Sequence, residues 1–143
     1  MTLRIFKTLW GHQGDLDLAF EECVAFGFDG IEGQAPDTTA GWRDFRQKLD
    51  ERGLDFIAEV CTAGSYVPRR DATTEEHRQS FAQQVEAALE CRPLFITTLA
   101  GCDAWSVAQS VEFFGEAHEF ARSCGITASF ETHRGRSFFN PWT

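Results

Sequence analysis

The sequence predicts an α/β fold in which five parallel strands alternate with four helices. Short apolar segments of strand length alternate along the chain with segments whose apolar residues recur at helical spacing. Strict alternation of this kind implies right-handed crossovers, and therefore a parallel sheet covered by helices. The strand segments are also rich in Ile, Phe, Val and Leu, as expected for parallel strands that are buried on both faces.

The five predicted strands are short and dominated by apolar residues. In chain order they are LRIFKTL (3–9), FDGIEG (28–33), LDFIAEVC (54–61), PLFITTLAG (93–101) and ITASFETH (126–133).

The four helices are predicted from apolar residues every three or four positions and from signals at their ends. The first is predicted to end at Gly27, and the third to begin with a capping box in which Thr73 and Glu76 bond reciprocally. Asp103 is the predicted cap of the fourth helix. The residues predicted to face the core are, helix by helix, Leu16, Phe20, Cys23 and Val24; Trp42, Phe45 and Leu49; Phe81, Val85, Ala88 and Leu89; Val107, Val111, Phe114, His118 and Ala121.

Composition and charge indicate a folded protein and exclude several classes of partner. The chain has 143 residues, of which 43% are hydrophobic, and this share argues against disorder. The formal charge of −9 disfavours nucleic acid and anionic membranes, because both require a concentrated positive field. No apolar run approaches the ~20 residues that span a bilayer. The N-terminus shows no apolar signal-peptide segment.

Five cysteines are scattered along the chain without the spacing of a metal site. An odd number of cysteines without an export signal is typical of reduced thiols. We therefore expect a cytoplasmic protein.

A glycine, an apolar strand and a glutamate recur three times, in GFDGIE, GLDFIAE and GITASFE. The recurrence places Glu32, Glu59 and Glu131 at the carboxyl ends of their strands, which is where parallel barrels carry out their chemistry. Three such residues favour a polar, carboxylate-lined pocket. The alternative is that each carboxylate only caps the loop that follows its strand.

Clustered carboxylates near a histidine favour a divalent cation, namely Mn²⁺, Mg²⁺, Co²⁺ or Zn²⁺. Such an ion polarises a substrate carbonyl, and a neighbouring carboxylate can then move a proton from the adjacent carbon. This chemistry fits aldose–ketose isomerisation or epimerisation next to a ketone.

The ordered set FGFDGIEG, RGLDFIAEV and CGITASFETHRGR resembles the xylose isomerase-like TIM-barrel superfamily, in its sugar (phosphate) isomerase/epimerase group. The resemblance implies a partial (β/α)8 TIM barrel, with residues 1–143 as the N-terminal portion that ends after the fifth of eight strands. It also implies a small-molecule sugar or sugar phosphate as substrate.

The same resemblance implies that Glu131 is both a ligand of a divalent metal and an acid/base group. The remaining ligands of the family lie on strands six to eight, so the ligand set of this chain is expected to be incomplete. The stretch after Glu131 differs from the EPxNR pattern of the ketose 3-epimerases, which leaves the substrate subtype open.

Further substrate-binding candidates follow the first and fifth strands. Trp10 and His12 face the substrate or belong to a surface loop, and His133 faces the site or bonds within its loop. Arg134 and Arg136 hold a phosphate or carboxylate through the bidentate guanidinium fork, or are solvated. Glu32 and Glu59 are pocket candidates, whereas His77 is expected at the surface.

Two other functions remain open at this point. Metal-dependent endonucleases that act at abasic DNA sites share the fold, but the acidic chain and the absence of histidines after strands three and four disfavour them. A non-catalytic fragment or interaction module is the second alternative. Neither LRIFKTL nor ITASFETH carries the proline or dense lysine that protects an open sheet edge, so we expect self-association through the open edges of the barrel.

Overall fold

In a computed structural model, which describes residues 2–139, strands and helices alternate along the chain as predicted. The strands are β1 (Phe6–Thr8), β2 (Gly30–Gly33), β3 (Asp55–Cys61), β4 (Ile96–Leu99) and β5 (Ala128–Phe130). The helices are α1 (Leu16–Phe26), α2 (Thr39–Arg52), α3 (Thr74–Glu90) and α4 (Val107–Ser123). Each strand is shorter than its predicted segment, because apolar character does not reveal where pairing with a neighbour stops.

The five strands form one sheet in the order β1-β2-β3-β4-β5, which confirms the predicted sequential and parallel arrangement. Thr8 pairs with Glu32, and Glu32 pairs with Ile57. Because residues paired in register point to the same side of a sheet, these three side chains share one face. Thr97 pairs with Ser129 in the same way.

The chain divides into two compact units. The first comprises Met1–Ala58 and Ala87–Leu94, and the second comprises Glu59–Glu86 and Phe95–Thr143. In the first unit, the ring of Phe45 lies 5.5 Å from that of Phe20 and 4.9 Å from that of Phe56. These three buried rings join α1, α2 and β3 into one apolar core.

The core of the second unit is aromatic as well. Phe81 of α3 and Phe113 of α4 are buried, with ring centroids 6.5 Å apart. Phe130 of β5 lies 4.9 Å from Phe114, in the edge-to-face arrangement that aromatic pairs prefer. Helices α3 and α4 therefore pack against β5 through phenylalanine rings.

Local signals in the sequence set the helix ends, with one exception. Gly27 ends α1 with a φ of 71°, a left-handed conformation that glycine adopts without strain. The predicted capping box is confirmed: Thr73 Oγ1 accepts from the Glu76 amide at 3.2 Å, and Glu76 Oε2 accepts from the Thr73 amide at 2.7 Å. The prediction that Asp103 caps α4 is wrong. The residues after Asp103 form a turn, and Ser106 caps the helix in a second capping box.

Most residues predicted to face the core do so. Those confirmed as buried are Phe20, Cys23, Phe45, Leu49, Phe81, Val85, Ala88 and Ala121, and those half-buried are Trp42, Leu89 and Phe114. The prediction is wrong for Leu16, Val24, Val107, Val111 and His118, which are exposed. In α4 the buried residues are Phe113, Ala117 and Ala121. The mispredicted residues of this helix form a second apolar row beside them, and the spacing alone does not distinguish the two rows. Within residues 2–139, no helix has the length and apolar character needed to cross a membrane.

Candidate functional site

Glu131 follows β5 directly, so the predicted position of this carboxylate at the strand end holds. Its amide donates to the Thr98 carbonyl of β4 at 2.9 Å, and its side chain is exposed. The preceding residue, Phe130, packs against Phe81 and Phe114 of the helices. Since side chains alternate along extended chain, Glu131 points to the face opposite α3 and α4. An exposed carboxylate at this position is suited to proton transfer.

Glu59 lies within β3 and is half-buried between fully buried neighbours. The Tyr66 hydroxyl donates to Glu59 Oε2 at 3.0 Å, and Cys61 Sγ lies 3.9 Å from Oε1. Tyr66 belongs to the loop after β3, where no periodic pattern draws attention to it. Sequence reasoning missed it, and the structure places its phenol group beside a predicted pocket residue.

In the first unit, Glu32 lies inside β2 rather than after it. Its carbonyl accepts from the Leu9 amide at 2.8 Å, and its side chain is half-buried on the face shared with Thr8 and Ile57. Trp10 is 65% exposed. The fold therefore gives Glu32 a fixed place in the sheet and leaves the Trp10 ring accessible.

His12 lies in the loop before α1, three residues ahead of the Asp15 cap. Its Nε2 is 3.1 Å from the Asp15 carbonyl oxygen, and its Nδ1 is 3.6 Å from Glu22 Oε2. Glu22 also pairs with Lys7 at 2.8 Å, and the hydrogen bond from this lysine lowers the pKa of the Glu22 carboxyl. Only 8% of the His12 side chain is exposed, because these contacts hold the ring against the helix.

His133 and Arg134 lie in the loop after β5. The His133 amide donates to the Phe138 carbonyl at 2.7 Å, and its Nδ1 lies 2.8 Å from the Arg134 carbonyl oxygen. The structure thus shows the hydrogen bonding within the loop that was one of the two interpretations of His133. The Arg134 side chain is exposed.

Arg136 is fully buried, which excludes the interpretation of solvated charge. Its Nη1 donates to the Thr62 carbonyl at 2.6 Å and to the Gly101 carbonyl at 3.4 Å, and its Nη2 donates to the Ser65 carbonyl. Burial lowers the pKa of the guanidinium from its ordinary value. In this structure protein carbonyls, rather than solvent, surround the group that was expected to hold a phosphate or carboxylate.

His77 is also fully buried, so the prediction of a surface residue is wrong. Its Nδ1 lies 2.6 Å from Thr62 Oγ1. This hydroxyl accepts from the Gly101 amide at 3.2 Å and also lies 3.5 Å from the Leu99 carbonyl oxygen. Burial, followed by the nearby Arg136 charge, lowers the pKa of His77 to about 4. The ring packs edge-to-face on Trp105 with centroids 4.8 Å apart.

The loops after β4 and β5 meet at Gly101, whose φ of 71° is left-handed. A Cβ at this position would collide with the Ser137 side chain. Ser137 Oγ donates to the Cys102 carbonyl at 3.2 Å, and the Asp103 amide donates to the Gly135 carbonyl at 3.2 Å. These contacts hold the two loops together at Gly101.

A family model described as a xylose isomerase-like TIM barrel matches residues 20–142. The chain belongs to this family. No curated protein matches it. The chain spans about half the length of the solved structures of similar fold: it covers 54%, 52% and 54% of three of them.

Three solved structures show how widely the xylose isomerase-like fold is shared. A D-psicose 3-epimerase in the presence of D-fructose matches 96% of the chain and 54% of its own, with TM-score 0.72 and 17% identity. An IolI protein with a binding zinc atom matches 95% and 54%, with TM-score 0.71 and 14% identity. Endonuclease IV from Thermus thermophilus matches 91% and 52%, with TM-score 0.60 and 17% identity. Identities this low show the fold alone.

The described residues include a candidate ligand for a metal ion but no complete metal site. Glu131 is an exposed carboxylate at a strand end, which suits a hard or borderline divalent cation. Across residues 2–139, however, no three His, Cys, Asp or Glu side chains lie together as a metal site requires. The described residues therefore fit one ligand position and not a complete coordination shell.

Proposed function

We propose that this protein is a divalent-metal-dependent isomerase or epimerase of sugars or sugar phosphates, and that residues 1–143 form the N-terminal five-strand portion of its barrel. One observation carries the proposal: the Glu131 carboxylate is exposed at the carboxyl end of β5, on the face opposite the helices. In parallel barrels the chemistry takes place at that end. The neighbouring D-psicose 3-epimerase and zinc-bound IolI structures support this class of reaction and of cofactor.

In the proposed reaction Glu131 removes a proton from the carbon next to the substrate carbonyl. In isomerisation it returns this proton to the former carbonyl carbon, whereas in epimerisation a second acid would protonate the opposite face of the same carbon. A bound divalent ion (Mn²⁺, Mg²⁺, Co²⁺ or Zn²⁺) would polarise that carbonyl, and Glu131 would supply one of its ligands. The substrate-binding candidates are Trp10, His12, Glu32, Glu59, His133 and Arg134, whereas Arg136, predicted with them from the sequence, has its guanidinium occupied by main-chain carbonyls. Of these, Arg134 has an exposed side chain, and the Glu59 carboxylate accepts a hydrogen bond from the Tyr66 hydroxyl.

The acidic chain and its cysteines support two further parts of the proposal. The net charge of −9 favours a small-molecule substrate over DNA, despite the fold shared with endonuclease IV. The five cysteines are thiols rather than disulfides, and four of them are buried, which suits a reducing compartment such as the cytoplasm.

Glu131→Gln is expected to lower catalysis by at least ~100-fold, because the amide keeps the shape of the side chain but cannot accept the proton. The measurement is deuterium incorporation next to the carbonyl of ketoses and ketose phosphates in D₂O with added Mn²⁺ or Co²⁺. It uses the 143-residue chain and any longer form that the gene encodes. Glu119→Gln, a change of an exposed α4 carboxylate, is the matched control. Turnover by Glu131→Gln equal to that of the wild type would refute the assignment.

The sheet favours one alternative, a non-catalytic interaction module. Within residues 2–139, β1 and β5 are the edges of the sheet, and each pairs with a single neighbour. Unpaired strand edges template association with other chains. We therefore expect the apparent mass from light scattering to rise with the concentration of the 143-residue chain.

Ser129→Lys is expected to reduce this self-association, since it places a charge on the exposed position of β5. Ser123→Lys adds the same charge to an exposed position of α4 and serves as the control. A chain that stays monomeric at every concentration contradicts the expectation.

A further inference from the structure

The loop that follows Glu131 contains a closed turn. Residues 133–138 are held by the hydrogen bond from the His133 amide to the Phe138 carbonyl, at 2.7 Å, and by that from the Arg136 amide to the His133 carbonyl, at 3.1 Å. Glu131 lies two residues before this turn, and its own amide donates to the Thr98 carbonyl of β4 at 2.9 Å. The direction of its carboxylate therefore depends both on β4 and on how the turn that follows is fixed to the sheet.

The Arg136 side chain makes the longest-range attachment of the turn. It reaches two other loops: the loop after β3, through the carbonyls of Thr62 and Ser65, and the loop after β4, through the Gly101 carbonyl. Its partners lie 35 to 74 positions away in sequence. A single side chain thus joins the loops that follow three consecutive strands, all at the carboxyl end of the sheet.

This arrangement is costly as a source of stability alone. The guanidinium is fully buried, and within residues 2–139 no carboxylate pairs with it and its Nε–H meets no acceptor. A buried charge without a counter-ion carries a desolvation penalty that apolar residues of similar volume avoid. Its five donors in a rigid fork, in contrast, can bond several carbonyls in fixed directions at once. The benefit of arginine here is geometric.

We propose that Arg136 is the positioning residue of the active site, in that it fixes the turn that follows Glu131 against the ends of β3 and β4. The part that concerns catalysis rests on the proposed function of Glu131. The part that concerns the turn does not, because it follows from the hydrogen bonds of Arg136 alone. Lysine at this position would keep the charge but lose the fork, so it would not replace arginine.

The first test is hydrogen–deuterium exchange on the full 143-residue chain. In Arg136→Ala, we expect the amides of residues 131–137 to exchange about tenfold faster or more, since hydrogen bonds to a charged group are lost. The amides of α4 are expected to change little. Millimolar guanidinium, which fits the space vacated by the side chain, is expected to restore protection in Arg136→Ala, whereas ammonium is not. Arg122→Ala, on the exposed surface of α4, is the control.

Two results would overturn the proposal. Unchanged exchange in residues 131–137 would show that the turn is held without Arg136. Equal loss of protection across α3 and α4 would show that Arg136 only supports folding. Arg136→Lys retains the positive charge, so it separates the loss of the guanidinium hydrogen bonds from the loss of the charge. We expect the turn of this variant to exchange nearly as fast as that of Arg136→Ala.

The second test separates positioning from substrate binding in the deuterium-incorporation assay. Arg136→Lys is expected to lower kcat while KM changes little, because the defect lies in the placement of Glu131. A raised KM with an unchanged kcat would show substrate contact instead and overturn the catalytic part. If the wild-type protein shows no incorporation, the proposed function fails, and the exchange experiment still decides whether Arg136 holds the turn.

Discussion

Phe113→Ala is expected to lower the free energy of unfolding by about 3–5 kcal/mol, the range for truncation of a buried aromatic ring. Phe113 is 0% exposed, and its ring lies 5.1–6.5 Å, between centroids, from those of Phe81, Trp105, Phe114 and His77. These neighbours come from α3, from α4 and from the loop before α4. They cannot all move to fill the cavity that the truncation leaves. The cost is therefore the free energy of burying the ring plus the cost of the cavity. Urea unfolding followed by circular dichroism measures the effect.

Val111→Ala is the matched control, because Val111 lies on the same helix but is 68% exposed. Its effect is expected to stay within about 0.5 kcal/mol. Should Phe113→Ala leave too little folded protein to measure, Phe113→Leu keeps most of the volume and is expected to cost roughly 1.5 kcal/mol or less. Similar stabilities for Phe113→Ala and Val111→Ala would mean that the aromatic cluster is not the core of the second unit.

Acidification from pH 6.5 to pH 4 is expected to destabilise the protein through His77 by as much as ~3 kcal/mol. The pKa of His77 is about 4 in the folded protein against an ordinary value of 6.5. Between these two values the unfolded chain binds a proton that the folded protein does not, so unfolding becomes easier as the pH falls. Below pH 4 both states are protonated and the contribution of His77 levels off. The measurement is the free energy of unfolding by urea at a series of pH values.

The His77 contribution can be separated from that of the carboxylates. The pKa of Glu76 is lowered to about 2, first by the Thr73 amide, so its stabilising contribution is lost only below its ordinary value of 4.5. His77→Gln is expected to flatten the profile between pH 6.5 and about 5, above the range in which Glu76 contributes, and His118→Gln, at an exposed histidine, is expected to leave it unchanged. A wild-type profile that is already flat over this range would contradict the burial of a neutral His77.

The order of elements was predictable because its signals are local. The Thr73 capping box and the glycine at the end of α1 lie within a few residues of the helix ends that they determine. The position of Glu131 was predictable for the same reason, since a glutamate directly follows an apolar strand. These features require no knowledge of which distant segments meet.

The surroundings of the candidate site depend on such distant contacts, and there the sequence failed. His77 is buried because Thr62 and Trp105 close over it, and neither residue belongs to its helix. Arg136 meets carbonyls up to 74 positions away. Tyr66 reaches Glu59 from a loop without a periodic pattern. A polar residue in a helix or loop pattern is indistinguishable from a solvated one until its partners in space are known.

The chemical identity of the Arg136 acceptors has a consequence for how this protein can diversify. Three of the four acceptors of Arg136 are main-chain carbonyls, which every residue type supplies, and the fourth is the Thr62 hydroxyl at 3.5 Å. Combinatorial libraries can therefore randomise the side chains at positions 65 and 66 while the main-chain hydrogen bonds of Arg136 persist. Gly101 must stay constant, because any side chain there is strained by its φ and displaces Ser137. The hydrogen bonds of Arg136 thus confine the evolutionary constraint to a few positions and leave the side chains of the other loop residues free to vary.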